Sequence, residues 1–146
     1  MRTSSVVAGA VVAVVCVLAW SPAWAQHEAQ EAKAEEAAKA WLTLVDTGQF
    51  GQSWDKAAFY FRSQVAREKW DASLANSRVP LGRVTSRTLL NKKYTTELEN
   101  APKAEYVVIL YNTVFDGGKR VEIVVPVLEK DGVWRVCGFS IKPPQK

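Results

Sequence analysis

The chain is poor in the side chains that most often carry out chemistry: its 146 residues include one histidine, two cysteines and one methionine. The histidine, His27, stands near the N-terminus, so the usual acid–base residue and commonest metal ligand is missing from the body of the chain. No grouping of His, Cys, Asp and Glu has metal-ligand spacing, and no cofactor is expected. Of the cysteines, Cys16 lies in an apolar leader and Cys137 in an apolar strand. No internal disulfide is expected once the leader is removed, and Cys137 reads as a small buried hydrophobe. Charge of one sign is also scarce, with 19 Lys and Arg against 15 Asp and Glu. That mild basicity is no nucleic-acid footprint, and the one basic cluster, Arg87 with Lys92-Lys93, reads as a solvated strand edge. Gly117-Gly118-Lys119 lacks the spacing and following helix of a phosphate loop. Gly51-Gln52-Ser53-Trp54-Asp55 starts like a nucleophile elbow but ends on Asp with no strand before it, so Ser53 reads as a helix N-cap.

What is present begins with a leader. Arg2 precedes an uncharged apolar run from Val6 to Trp20, then Ser21-Pro22 and the small-x-small triplet Ala23-Trp24-Ala25. This is the order of a signal peptide over residues 1–25, and the run is shorter than the roughly 20 residues a bilayer-spanning helix needs. Cys16 follows Val14-Val15, which is not a lipidation pattern. A periplasmic or secreted location follows as an expectation, with no stable membrane insertion after cleavage. Residues 26–33 read as a flexible polar segment, 34–142 as one domain and 143–146 as a tail.

Within the domain, Ala34, Ala37-Ala38, Trp41 and Leu44-Val45 recur at helical spacing, and Asp46-Thr47-Gly48 ends that helix. Trp54, Ala57-Ala58 and Phe61 predict a second helix; Ala66, Trp70 and Leu74 predict a third from about Gln64, stopped by Pro80. Strands follow at Arg83–Leu90, Glu105–Phe115, Arg120–Leu128 and Val133–Ile141, with a polar loop through Thr95–Lys103 and tight turns at Asp116-Gly117-Gly118 and Asp131-Gly132. Pro126 must sit at an edge or a bulge, because proline cannot donate a ladder hydrogen bond. The fold class is α+β: N-terminal helices packed on a curved four-stranded antiparallel sheet. The apolar runs Val107–Leu110 and Val121–Val125 suggest a homodimer through the sheet.

The candidate general bases and acids are Asp46, Asp55, Tyr60 and Tyr111, each with a structural alternative: Asp46 at a helix end, Asp55 in a first turn, the tyrosines as half-buried fillers. The candidate ligand-binding set is Trp41, Trp54, Trp70 and Trp134 with Arg78 and Arg87, which would suit an anionic ligand if an arginine pointed at the indoles. The alternative is a core of inward tryptophans, with Arg78 and Arg87 capping carbonyls and pairing Glu97 or Glu99.

Trp41-Leu42 with Asp46-x-Gly48, Ser53-Trp54, Trp70, Arg78-x-Pro80-Leu81-Gly82 with Ser86-Arg87, Tyr106, and Asp131-Gly132-x-Trp134-Arg135-Val136-x-Gly138 together resemble the DUF4019 family of short exported bacterial proteins of unknown function. The resemblance spans about residues 34–142. Pro102-Lys103-Ala104-Glu105-Tyr106 lacks a glycine associated with that loop, and Phe139-Ser140 replaces an aromatic pair. More distantly the layout is similar to the NTF2-like, or cystatin-like, cone, a superfamily holding isomerases, dehydratases and many non-catalytic modules. The leading expectation is a binding module of the cell envelope, using a pocket or the exposed sheet face, whose partner is a small molecule, a peptide or an envelope protein. Two alternatives stand beside it: a cofactor-independent lyase or isomerase using a pocket carboxylate, and a structural dimer with a filled core.

Overall fold

The structure, a computed structural model, describes residues 22–144. The leader therefore lies outside the described residues up to position 21, as do the last two residues of the tail. In chain order come α1 (Ala23–Asp46), α2 (Phe50–Lys56), α3 (Phe59–Gln64), α4 (Arg67–Ser77), a 3-10 turn (Val79–Leu81), then β1 (Val84–Thr95), β2 (Tyr106–Phe115), β3 (Gly118–Leu128) and β4 (Trp134–Lys142). The four strands form one antiparallel meander in the order β1-β2-β3-β4. This is the expected α+β layout.

Residues 26–33, expected to be a flexible segment, are helical and continuous with the rest of α1. Their Ala, Glu, Gln and Lys content favours helix, and three of the side chains dock on the sheet. Gln30 accepts from Trp134 Nε1 at 3.2 Å, Glu31 accepts from the Tyr94 backbone N–H at 2.8 Å, and the His27 ring stacks on Tyr94 at 4.3 Å. At its other end α1 stops where the sequence says. Gly48 has φ +75°, its N–H reaches the Val45 carbonyl, and the Gln49 N–H reaches that of Leu44. The pair of bonds satisfies two carbonyls the helix leaves open.

The second helix of the sequence reading is two helices, and Ser53 is not a cap. It lies inside α2, fully buried. The break falls at Ala57-Ala58, both buried and extended, where the Ala58 N–H donates to Val136 O of β4 at 2.8 Å. Two small side chains allow the backbone to approach the edge strand that closely. α4 begins at Arg67, not near Gln64.

β1 runs on to Thr95, past the expected end at Leu90, because Asn91–Thr95 pair with Tyr106–Leu110. β3 is a central strand, so Pro126 must be accommodated within it. The β3–β4 register shifts there, Val125 opposing Gly138 and Pro126 opposing Val136, so Cys137 is the extra residue of a bulge. β1 carries two further irregularities, at Thr85 and Leu90, which with its lysines and the Glu31 contact blunt its exposed edge.

Alternation sorts the side chains onto two faces. Val107, Ile109, Tyr111 and Val124 point to the helices, where they meet Ala34, Ala38, Trp41, Leu42, Val45, Phe61, Trp70 and Leu74 in one core. On the opposite face, Leu98, Ala101 and Ala104 of the β1–β2 loop fold over Tyr106 and Val127 at one end. Beyond that loop Val108, Leu110, Val114, Ile123 and Val125 stay half-buried.

Candidate functional site

The structure brings together four of the sequence candidates, Asp46, Arg78, Arg87 and Tyr111, between the end of α1 and the inner face of the sheet. Arg87 stands on β1 across from Thr113 of β2. Its guanidinium grips Asp46 with two nitrogens, Nη1 at 2.8 Å and Nη2 at 3.1 Å, and donates from Nε to Glu122 at 2.7 Å. Arg78, 4 % exposed, adds a third hydrogen bond to Asp46 at 3.2 Å and donates to Gly82 O at 2.6 Å, its guanidinium lying 4.7 Å from the Phe115 ring centroid. Glu122 is fully buried on β3 and accepts from the Thr113 hydroxyl through the same oxygen that meets Arg87. Two carboxylates thus face two guanidiniums. Burial works against the charge on Arg87, but its hydrogen bonds to Asp46 and Glu122 outweigh that and hold its pKa above the ordinary value.

Such a lattice fixes geometry and leaves Asp46 little freedom to take a proton from a substrate. Asp46 and Arg78 do border an open groove of about 260 Å³ with Gly82, Arg83 and Asp116, but the carboxylate is held from both sides by arginine. The expected pairing of Arg78 and Arg87 with Glu97 or Glu99 is replaced by Asp46 and Glu122. Glu97 instead lies 3.9 Å from Lys103 at the surface.

Tyr111 and Glu122 are cross-strand neighbours, and the Tyr111 hydroxyl and Glu122 Oε1 have no protein partner. Burial pushes the Tyr111 phenol up to about 12, with the carboxylates of Glu35 and Glu122 adding to the shift and Arg87 opposing it, so it stays protonated. Glu35, on α1, sits between Lys39 at 2.6 Å and Lys92 of β1 at 2.8 Å, and hydrogen bonds from these two ammonium groups lower its pKa. A depressed carboxylate contributes stability above its unfolded pKa and loses it as pH falls through the folded one. The urea stability of wild type should therefore exceed that of Glu35→Gln by about 1 kcal/mol at pH 7. The gap should close as pH drops below the ordinary value of 4.5. A gap that stays constant down to pH 3 would exclude this ion pair as its source.

Three of the four candidate tryptophans belong to the core. Trp41 and Trp70 have ring centroids 5.9 Å apart, Phe61 meets Trp70 edge-on at 5.0 Å, and Phe139 meets Trp41 at 5.4 Å. Ser53 serves both indoles: its carbonyl accepts from Trp41 Nε1 at 2.8 Å and its hydroxyl from Trp70 Nε1 at 2.9 Å. Trp134, 7 % exposed, closes the core on β4. Trp54 departs from the expected inward set. It is half-buried, donates to Val65 O at 2.8 Å, and has the guanidiniums of Arg62 and Arg67 at 5.9 and 6.0 Å from its ring. Neither Arg78 nor Arg87 lies among the indole contacts found.

Asp55 is in the last turn of α2, not a first turn, and pairs with Arg67 at 2.6 Å on the surface. Tyr60 donates to Asn100 O at 3.0 Å and lines a groove of about 550 Å³ with Phe59, Pro102, Tyr106 and Val127. Cys137 is half-buried without a disulfide, and burial pushes its thiol up to about 12, consistent with an inert side chain. Among the described residues no cluster of His, Cys, Asp and Glu is arranged to hold a metal. The sequence reading passed over Glu122 and took Ser53 for a helix cap. A lone carboxylate inside Val121–Val125 was the available signal for the first, since a charge in an apolar strand must find a partner.

A family model described as a protein of unknown function (DUF4019) matches residues 37–139. No curated protein matches the chain.

Proposed function

The chain belongs to the DUF4019 family, and we propose that it is a non-catalytic binding module exported to the bacterial cell envelope. The observation that carries the reading is the face of the sheet turned away from the helices. Val108, Leu110, Val114, Ile123 and Val125 form a band there that the β1–β2 loop leaves half-exposed. An apolar band of this kind is where a partner would bury surface.

The interior supports the same reading. Asp46 is tied to two arginines and Asp55 to Arg67, so the two carboxylates best placed by sequence are engaged in ion pairs. Export rests on the leader pattern, and the layout is similar to NTF2-like modules, a fold that licenses binding without fixing a reaction.

Native mass spectrometry on protein purified gently from the periplasm of an expressing bacterium tests the proposal. The expected result is a chain beginning at Gln26 and carrying either a bound molecule or a protein subunit released on denaturation. A bare monomer at every concentration would overturn the binding reading, and a chain retaining Met1 would overturn export.

A further inference from the structure

We propose that the partner of this outer face is an anionic lipid bilayer surface, an inference that rests on the binding-module reading and names what is bound. The argument is one of charge. Strand pairing sets Ser86, Thr88, Asn91 and Lys93 of β1 outward with Val108, Leu110, Asn112 and Val114 of β2. It sets Lys119, Val121, Ile123 and Val125 of β3 outward with Gly138, Ser140 and Lys142 of β4. None of these outward residues is a carboxylate. Glu31, Glu35, Asp46 and Glu122 meet the sheet from the helix side, and the acids at the Val127 end of the outer face, Glu129 and Asp131, are paired with Arg135 of β4.

The outward cations border the apolar band, Lys93 across from Val108 and Lys119 across from Val114. Lys93 is near the far end of β1, Lys119 follows the β2–β3 turn, and Lys142 ends β4. All three are exposed, and none makes an ion pair among the described residues. Flexible four-carbon stems at the rim of a Val, Leu and Ile centre suit a partner whose charge lies in a layer around an apolar interior, as lysines do when they reach headgroups from an apolar surface. A second copy of the chain fits less well, since face-to-face packing would bring lysines together while the carboxylates at the Arg135 end, Glu129 and Asp131, are already paired. No helix among the described residues is long and apolar enough to cross a membrane, so the association would be peripheral.

The test is co-sedimentation of the protein, as the expressing cell leaves it, with phosphatidylcholine vesicles containing or lacking phosphatidylglycerol. Binding should require phosphatidylglycerol and weaken as ionic strength rises from about 0.01 to about 0.15 M, where the screening length falls from about 30 to about 8 Å. The triple variant Lys93→Gln, Lys119→Gln, Lys142→Gln should lose on the order of 100-fold in affinity, about 3 kcal/mol at 1.4 kcal/mol per decade. Its unfolding temperature should match wild type. Lys33→Gln with Lys69→Gln, on exposed helix positions, should bind like wild type. Equal binding to neutral vesicles, or equal losses from the helix lysines, would overturn the proposal. So would a stable dimer split by Ile123→Lys, which would give the face to a second copy and leave the broader binding reading standing.

Discussion

Arg87→Met should destabilise the protein by about 3–5 kcal/mol, the usual cost of removing one partner from a buried ion pair and leaving the other charge uncompensated. The effect should be at the upper end of single substitutions because one guanidinium serves two carboxylates. Its Nη atoms hold Asp46 at the end of α1, and its Nε holds Glu122 on β3. Glu122 is fully buried and would keep only the Thr113 hydroxyl, with its second oxygen already without a protein partner. Three elements distant in sequence would lose a common anchor. Thermal unfolding followed by circular dichroism should show a fall of roughly 10–20 °C. Arg87→Lys keeps the charge but cannot fork to two carboxylates, so it should fall between Met and wild type. Arg87→Met with Glu122→Met removes both buried charges at that contact and should recover part of the loss, because well-packed apolar pairs often equal buried ion pairs. A single-variant loss below about 1 kcal/mol would mean the lattice is solvated in solution and does not hold the fold together.

Trp70→Ala should cost a similar amount, about 3–5 kcal/mol, for a different reason. The indole is 6 % exposed and meets Phe61, Trp41 and Phe139 at 5.0, 5.9 and 6.2 Å. Truncation leaves a large cavity lined by rigid rings that cannot close in, and it removes aromatic contacts worth about 0.5–1.5 kcal/mol each. Trp70→Phe separates packing from hydrogen bonding. It keeps most of the ring volume while removing the donor to Ser53 Oγ, whose hydroxyl still donates to Phe50 O at 2.6 Å. That variant should lose about 1–2 kcal/mol. Urea titration of both variants gives the comparison. If Phe costs as much as Ala, the Ser53 hydrogen bond and not the cavity governs this position.

The two sites differ in how visible they were beforehand. Trp70 announces itself through its four-residue spacing from Ala66 and Leu74, which gives a helix and an inward face. Trp54 has similar spacing from Ala58, yet the chain leaves the helix at Ala57, and the half-buried indole ends at the margin of the core beside Arg62 and Arg67. Propensity could not locate that break, because the Ala57-Ala58 segment is extended in order to pair with Val136, a residue nearly eighty positions away. Ser53 was misread for the same cause. Its serine side chain suits a cap, but its position inside α2 is fixed by indoles arriving from α1 and α4.

The sequence by itself determined that helices precede four strands, the stop of α1 at Gly48, the hairpin turns and the choice of an edge or a bulge for Pro126. Each of these follows from the backbone freedom or side-chain period of a few adjacent residues. It also marked Asp46, Arg78 and Arg87 as residues to follow. Only the tertiary structure decided what they do. Arg87 lies forty-one residues from Asp46 and thirty-five from Glu122, and nothing local distinguishes those carboxylates from the nearer Glu97 and Glu99. Strand register, with Arg87 opposite Thr113 and Tyr111 opposite Glu122, brings one pair of acids to the guanidinium and leaves Glu97 with a surface lysine. Alternation assigns each strand residue a face, but which face the helices cover is set by how the whole chain packs, and that leaves the outward lysines around an apolar band.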